Sequence, residues 1–165
     1  MINIMYHYVR PNSNEYPKFN SLNVKTFGRQ LDFFKKKYGF LSREDYQKAV
    51  QEGRNLQGAI LTFDDGLRDH YDYVLPELKK RGLWGLFYVA TGAYQKHELL
   101  GVHRVHYLKG KFGSKAILEK ALKNIDNSML DYSLIEEFDK EIYTSSQYTE
   151  DEKKLRRLLN FYLSY

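Results

Sequence analysis

Two adjacent carboxylates, Asp64 and Asp65, end an apolar run and stand before a glycine in "ILTFDDGL", residues 60–67. Adjacent side chains leaving a strand point to different sides of the chain. One Asp of such a pair can hold a divalent cation while the other reaches the water bound to it. Gly66 permits a tight turn and a close approach of backbone to substrate. The same three residues also describe a plain Asx-type turn with both carboxylates in solvent. A parallel sheet binds ligands beyond the carboxyl ends of its strands, so the two readings differ in what else gathers there. His7 ends the first apolar stretch, "INIMYHYV". If the two strands are parallel it stands at the same end as Asp64, where it either lines the site or packs. His70 follows the turn near the rim of such a site, and His97 lies in a polar loop facing solvent.

The elements that must position these residues are legible from periodicity and punctuation. Residues 2–9 are β-branched and aromatic and precede the turn-rich "RPNSNEYP", which predicts a strand. "NVKTFGRQLDFFKKKYG" carries Phe27, Leu31 and Phe34 at helical spacing, with Asn23 to cap its start and Gly39 its end. "SREDYQKAVQEG" predicts a second helix, opened by a Ser42–Asp45 capping box and closed by Gly53. "GAILTFDD" reads as a buried strand, "DHYDYVLPELKKRG" as loop then helix with Pro76 in its first turn, and "LWGLFYVATG" as another strand. Strand, helix, strand at that spacing is a βαβ unit, so its strands are parallel. After residue 100 the pattern turns helical in "SKAILEKALKNI", "YSLIEEFDKEIY" and "TEDEKKLRRLLNFYLSY". In the last of these, Leu155, Leu158, Leu159 and Tyr162 make one stripe, and Thr149 with Glu152 makes a capping box.

Composition narrows the chemistry. The chain has 165 residues, 42% hydrophobic and 16% aromatic, enough for one domain with a real core. It has no cysteine, which removes disulfides and thiolate nucleophiles and leaves His, Asp and Glu as metal ligands. The net charge of +5 is spread among acidic residues, and "FFKKKYGF" and "EDEKKLRRLL" read as solvated helix faces, not a nucleic-acid patch. No transmembrane run or signal peptide is visible, so the expected location is cytoplasmic.

Residue identity adds a resemblance. "LTFDDG" resembles the first motif of the polysaccharide deacetylases, the NodB-homology or carbohydrate esterase 4 family. The likeness extends to "MYHYV", "DDGLRDHYDYVLPELKKRGL" and "GLFYVATG", over roughly residues 2–92. It implies an α/β fold of parallel strands with flanking helices, part of a distorted (β/α) barrel, here with a helical C-terminal half. Three strands are too few to close a barrel. The chain then reads as a single but incomplete NodB-like domain, with a βα core over 1–92 and a helical insertion or extension over 93–165. A sheet that lacks strands has unpaired edges, which favour self-association.

The resemblance also implies roles. Asp64 matches the general base and Asp65 the metal-binding Asp of a hydrolase that removes N-acetyl groups from the amino sugars of a polysaccharide or glycan precursor. The cofactor it implies is a divalent metal, zinc-like, that acidifies a bound water. The family completes its metal site with two histidines separated by three residues, the first of them Ser or Thr. The nearest stretch here is "GVHRVHYL", with His103 and His106, one residue short and without the Ser or Thr. Three apart on a helix, both could still ligate one metal. Otherwise they open a helix, and the motif lies beyond residue 165. Counterparts of the family's Arg-and-Pro, Asp-Trp and Leu-His motifs are missing, so the chain by itself is expected to be a weak or inactive deacetylase. Two other readings stay open. One is a non-catalytic, degenerate sugar-binding half domain. The other is a phosphatase of the haloacid dehalogenase type, which would require Asp-x-Asp-Gly in place of adjacent Asp residues.

Overall fold

In the computed structural model, which describes residues 1–130 and 148–159, the chain divides into two compact units. The first comprises Met1–Asn14 and Asn20–Leu100, the second Glu15–Phe19 and Gly101–Tyr165.

The first unit is built on a three-stranded parallel sheet. Its strands are Ile2–Tyr6 (β1), Ala59–Phe63 (β2) and Leu86–Phe87 (β3), with β2 in the middle. Ile2 pairs with Ala59 and Tyr6 with Phe63, while Phe63 also pairs with Phe87. β2 is buried along its whole length, as its unbroken apolar run requires. Both outer strands are shorter than their apolar runs. β1 stops at Tyr6 because the chain beyond it turns to the 20s segment, where Leu22 N–H donates to the Tyr8 carbonyl (2.9 Å) and Arg10 N–H to the Leu22 carbonyl (3.0 Å). β3 stops because its partner ends: Tyr88 N–H takes the Phe63 carbonyl at 2.8 Å, and β2 then leaves the sheet at Asp65.

The crossover from β1 to β2 runs through Val24–Tyr38 (α1) and Arg43–Gln51 (α2). The Asn23 side chain accepts from Lys25 N–H at the start of α1, and Gly39 closes that helix at φ 67. At the start of α2, Ser42 Oγ accepts from Asp45 N–H (3.0 Å) and donates to the Asp45 carboxylate (2.8 Å). Only half of the expected capping box forms, since Asp is a methylene shorter than Glu and stops at the hydroxyl. The crossover from β2 to β3 ends in Leu75–Arg81 (α3), with Pro76 in its first turn and Gly82 as a left-handed cap. Where a loop is expected, residues His70–Val74 form a π-helical turn leading into α3. The widened turn sits where Pro76 can supply no N–H and its ring would crowd the carbonyl four residues back. A short helix, Thr91–Lys96 (α4), follows β3.

Alternation along the strands sends Ile4, Tyr6, Leu61 and Phe63 to the helix-covered face of the sheet. There they pack with Phe27 and Leu31 of α1 and with Val74 and Leu78. Tyr6, Phe27 and Phe63 form an aromatic cluster with centroid distances of 5.0, 5.8 and 6.2 Å. Arg81 pairs with Asp32 of α1 (2.8 Å) and with Glu77, tying α3 to α1. Trp84, before β3, donates its indole N–H to the Leu41 carbonyl (2.6 Å) and lies against Tyr46 of α2 (centroids 5.5 Å apart).

In the second unit, Gly101–Phe112 (α5), Ser114–Asn124 (α6) and Glu150–Arg157 (α7) are helices. Tyr16 and Phe19 pack on Tyr107 of α5, and Lys18 N–H donates to the Gly110 carbonyl (2.9 Å). A Cβ at Gly110 would meet Phe19 Cδ2 at 2.7 Å, so only glycine lets that segment lie so close. Leu155 and Leu158 of the expected stripe bury against Leu118, with Leu159 beside them. Thr149 and Glu152 form both bonds of their capping box at 3.3 Å. The expected helix over 132–143, and Tyr162, lie outside the described residues. No helix among the described residues is long and apolar enough to cross a membrane.

Candidate active site

The sheet ladder ends directly beneath the two carboxylates. Asp64 N–H still donates to the Tyr6 carbonyl (3.1 Å), the last rung between β1 and β2. Asp65 then takes φ 74 and Gly66 φ 60, two consecutive left-handed residues that swing the chain off the sheet. Asp tolerates this conformation better than most residues, and Gly adopts it freely. The turn is held from the β3 side. The Tyr94 hydroxyl of α4 donates to the Gly66 carbonyl, and a Cβ on Gly66 would lie 3.0 Å from Val89 Cγ1. Gly66→Ala is therefore expected to lose about 1–2 kcal/mol of stability to the left-handed conformation alone. A lower urea midpoint, together with weaker ligand binding at the carboxylates, checks this.

The first strand brings His7 to the same place. Its Nε2 is 4.0 Å from Asp64 Oδ2 and 3.9 Å from Asp65 Oδ2, with side-chain exposures of 42, 28 and 27% respectively. The three side chains are thus reachable from solvent. Beside the carboxylates opens a cavity of about 410 Å³, lined by Asn3, Met5, Thr62, Asp64, Asp65 and residues 88–90. Within its lining, buried Thr62 donates its hydroxyl to the Asn3 amide oxygen at 3.0 Å. Asn3 and Thr62 were not singled out from the sequence. The signal was present in the period of two, since Asn3, Met5 and His7 share one face of β1 and Thr62 and Asp64 one face of β2. The cavity lies against that face.

The other histidines fall elsewhere. His70 does not line the cavity. It is 4% exposed, with Nε2 2.9 Å from the His7 carbonyl and its ring against Phe63 and Phe87. Burial pushes its pKa below the usual imidazole value, against the opposing pull of the His7 carbonyl and of Asp69 and Asp65. His97 is the exposed, left-handed cap of α4. His103 and His106 lie on α5 in the second unit, as expected of residues three apart, with ring centroids 6.3 Å apart. His103 is buried, at 4% exposure.

A catalytic zinc takes three protein ligands. Among the described residues, no group of three or more His, Asp or Glu side chains is arranged to hold a metal ion. The donors at the strand ends have the right chemistry but do not present a preassembled site.

Comparison with solved structures finds similar chains, among them two deacetylases. The chain is similar to IcaB from Ammonifex degensii, with 29% identity over 56% of this chain and 39% of that one, at a TM-score of 0.44. It is similar to a de-N-acetylase from Aggregatibacter actinomycetemcomitans, with 15% identity over 74% of this chain and 50% of that one, at a TM-score of 0.49. A third is the Streptococcus pyogenes deacetylase PplD in complex with acetate, with 22% identity over 98% of this chain and 80% of that one, at a TM-score of 0.48. The chain spans 39% and 50% of the length of the first two. No protein-family model and no curated protein sequence matches it.

Proposed function

We propose that the strand-end carboxylates belong to a hydrolase that removes N-acetyl groups from the amino sugars of a polysaccharide or glycan precursor. The observation that carries this reading is the meeting of His7 with Asp64 and Asp65 at the carboxyl ends of parallel strands, beside an open cavity that the two carboxylates line. A solvated Asx turn would need neither the histidine nor the cavity. The reading rests equally on the likeness of "LTFDDG" to the first motif of the polysaccharide deacetylases.

In the proposed reaction an N-acetyl amide and water become a free amine and acetate. Asp64 accepts a proton as the water adds to the carbonyl carbon, and the tetrahedral adduct collapses as the nitrogen is protonated and leaves. His7, at the mouth of the site, contacts the sugar. Tyr88, 56% exposed on the cavity wall, offers a ring face to the C–H face of a pyranose. Acetate release from N-acetyl chitooligosaccharides tests the reading. Release above the rate of an Asp64→Asn control supports it, and equal rates overturn it.

A divalent cation, zinc-like, is part of the proposal, with Asp65 as its ligand at the strand ends. It would supply an acidified water. Equilibrium dialysis against zinc should find one bound equivalent in the wild type, lost in Asp65→Asn.

A further inference from the structure

One side chain touches the ends of all three strands and has no part in the proposed chemistry. His70 is buried, and its ring packs on Phe63 of β2 (centroids 5.5 Å apart) and on Phe87 of β3 (5.8 Å). Those two rings stack on each other at 4.8 Å. Its third contact is polar, from Nε2 to the carbonyl of His7, the residue that follows β1. A carbonyl oxygen only accepts, so Nε2 carries the proton. Nδ1 is then the bare nitrogen, and it is buried without a hydrogen-bond partner among the described residues. Leaving a buried acceptor unmade is unfavourable. A phenylalanine would fill the same space between Phe63 and Phe87 with no such penalty. What a phenylalanine cannot do is hold the His7 carbonyl.

The consequence falls on His7. Its imidazole meets both carboxylates at about 4 Å, and its own backbone lies beyond the last rung of the ladder, which is the bond from Asp64 N–H to the Tyr6 carbonyl. Past that rung, β1 no longer has β2 to fix it. Among the described residues, the chain after the carboxylate turn reaches it through Arg10 to the Asp69 carboxylate at 2.6 Å and His70 to the His7 carbonyl at 2.9 Å. The second acts on the residue that faces the carboxylates.

We propose that His70 is the positioning residue of this site: its Nε2–H holds the His7 carbonyl and so places the His7 side chain against Asp64 and Asp65. The function of the site rests on the deacetylase reading, whereas the positioning does not.

The test compares His70→Phe, which keeps the ring and loses the donor, with His70→Gln, whose amide N–H can reach where Nε2 stood. In the full chain, the backbone resonances of His7 and of Asp64–Gly66 should shift in His70→Phe and stay near wild type in His70→Gln. Those of Leu31, in the same core, should stay put in both. The ring nitrogens of wild-type His70 should report the Nε2-protonated tautomer. With N-acetyl chitooligosaccharide, His70→Phe should lower kcat by about tenfold to a hundredfold, as a misplaced group does, with KM within about threefold, and His70→Gln should restore most of it. Unmoved His7 and Asp64–Gly66 resonances in His70→Phe overturn the proposal. So does a Gln variant that behaves like the Phe variant while remaining folded. A wild-type chain that releases no acetate refutes the deacetylase reading and leaves the resonances to decide the positioning.

Discussion

Asp64→Asn is expected to reduce acetate release by about 10²–10⁴-fold, the usual contribution of general acid–base catalysis, without lowering the unfolding midpoint. Asn keeps the shape of the side chain and the backbone N–H that closes the ladder on the Tyr6 carbonyl. It loses the negative charge and, with it, the ability to take a proton. Asp65→Asn makes the informative partner. Asp65 sits at φ 74, a conformation that Asn also tolerates, so this variant should fold as well as the first. The proposed division of labour then separates them: Asp64→Asn keeps bound zinc and loses turnover, while Asp65→Asn loses both. Rates from acetate release and metal content from elemental analysis, on the same preparations, check the pair. Equal zinc loss in the two variants would remove the assignment of base and ligand.

Phe63→Ala should have the largest effect on stability, about 3–5 kcal/mol by the usual loss for a fully buried phenylalanine. Phe63 is completely inaccessible, and its ring contacts those of Tyr6, Phe27, His70 and Phe87. Even glycine is needed beside it, because a Cβ at Gly85 would fall 2.6 Å from Phe63 Cε2. Small domains are stable by roughly 5–15 kcal/mol, so the variant should be unfolded at urea concentrations that leave the wild type native. Phe33→Ala, on the exposed side of α1, serves as the comparison and should change stability by less than about 0.5 kcal/mol. Urea denaturation of both decides it. A Phe63→Ala midpoint near that of Phe33→Ala would contradict the packing described here.

The parts of the fold that were legible in the sequence are those fixed by local chemistry. Asn23, Ser42 and Thr149 cap the helices they were expected to cap, since a side-chain oxygen at that position meets free N–H groups whatever surrounds it. The parallel sheet followed from strand–helix–strand spacing. Strand lengths did not, because they are set by partners. The run "LWGLFYVATG" is apolar throughout, yet only Leu86 and Phe87 pair, since β2 has already turned away at Asp65. The π-helical turn at His70–Val74 and the short helix α4 left no periodic trace. At the site, the adjacency of Asp64 and Asp65 was visible as sequence. Its meaning came from non-local facts: His7 arriving from β1, and the cavity lying against Asn3 and Thr62. His70 shows the limit most clearly. Its place after the turn suggested the rim, and only the pairing of the strands explains why it is buried behind His7.

The chain has one tryptophan, and the structure puts it to use as an optical label. Trp84 hydrogen-bonds Leu41 and lies against Tyr46, all within the first unit. Emission excited at the red edge of the indole band therefore reports the opening of that unit alone. Far-ultraviolet circular dichroism sums the helices of both units, α5, α6 and α7 included. Recorded on one urea series, the two signals partition the unfolding of the molecule without any added probe. Superimposed curves mean that the helical unit and the carboxylate-bearing sheet melt as a single cooperative body, and displaced curves mean that each melts by itself.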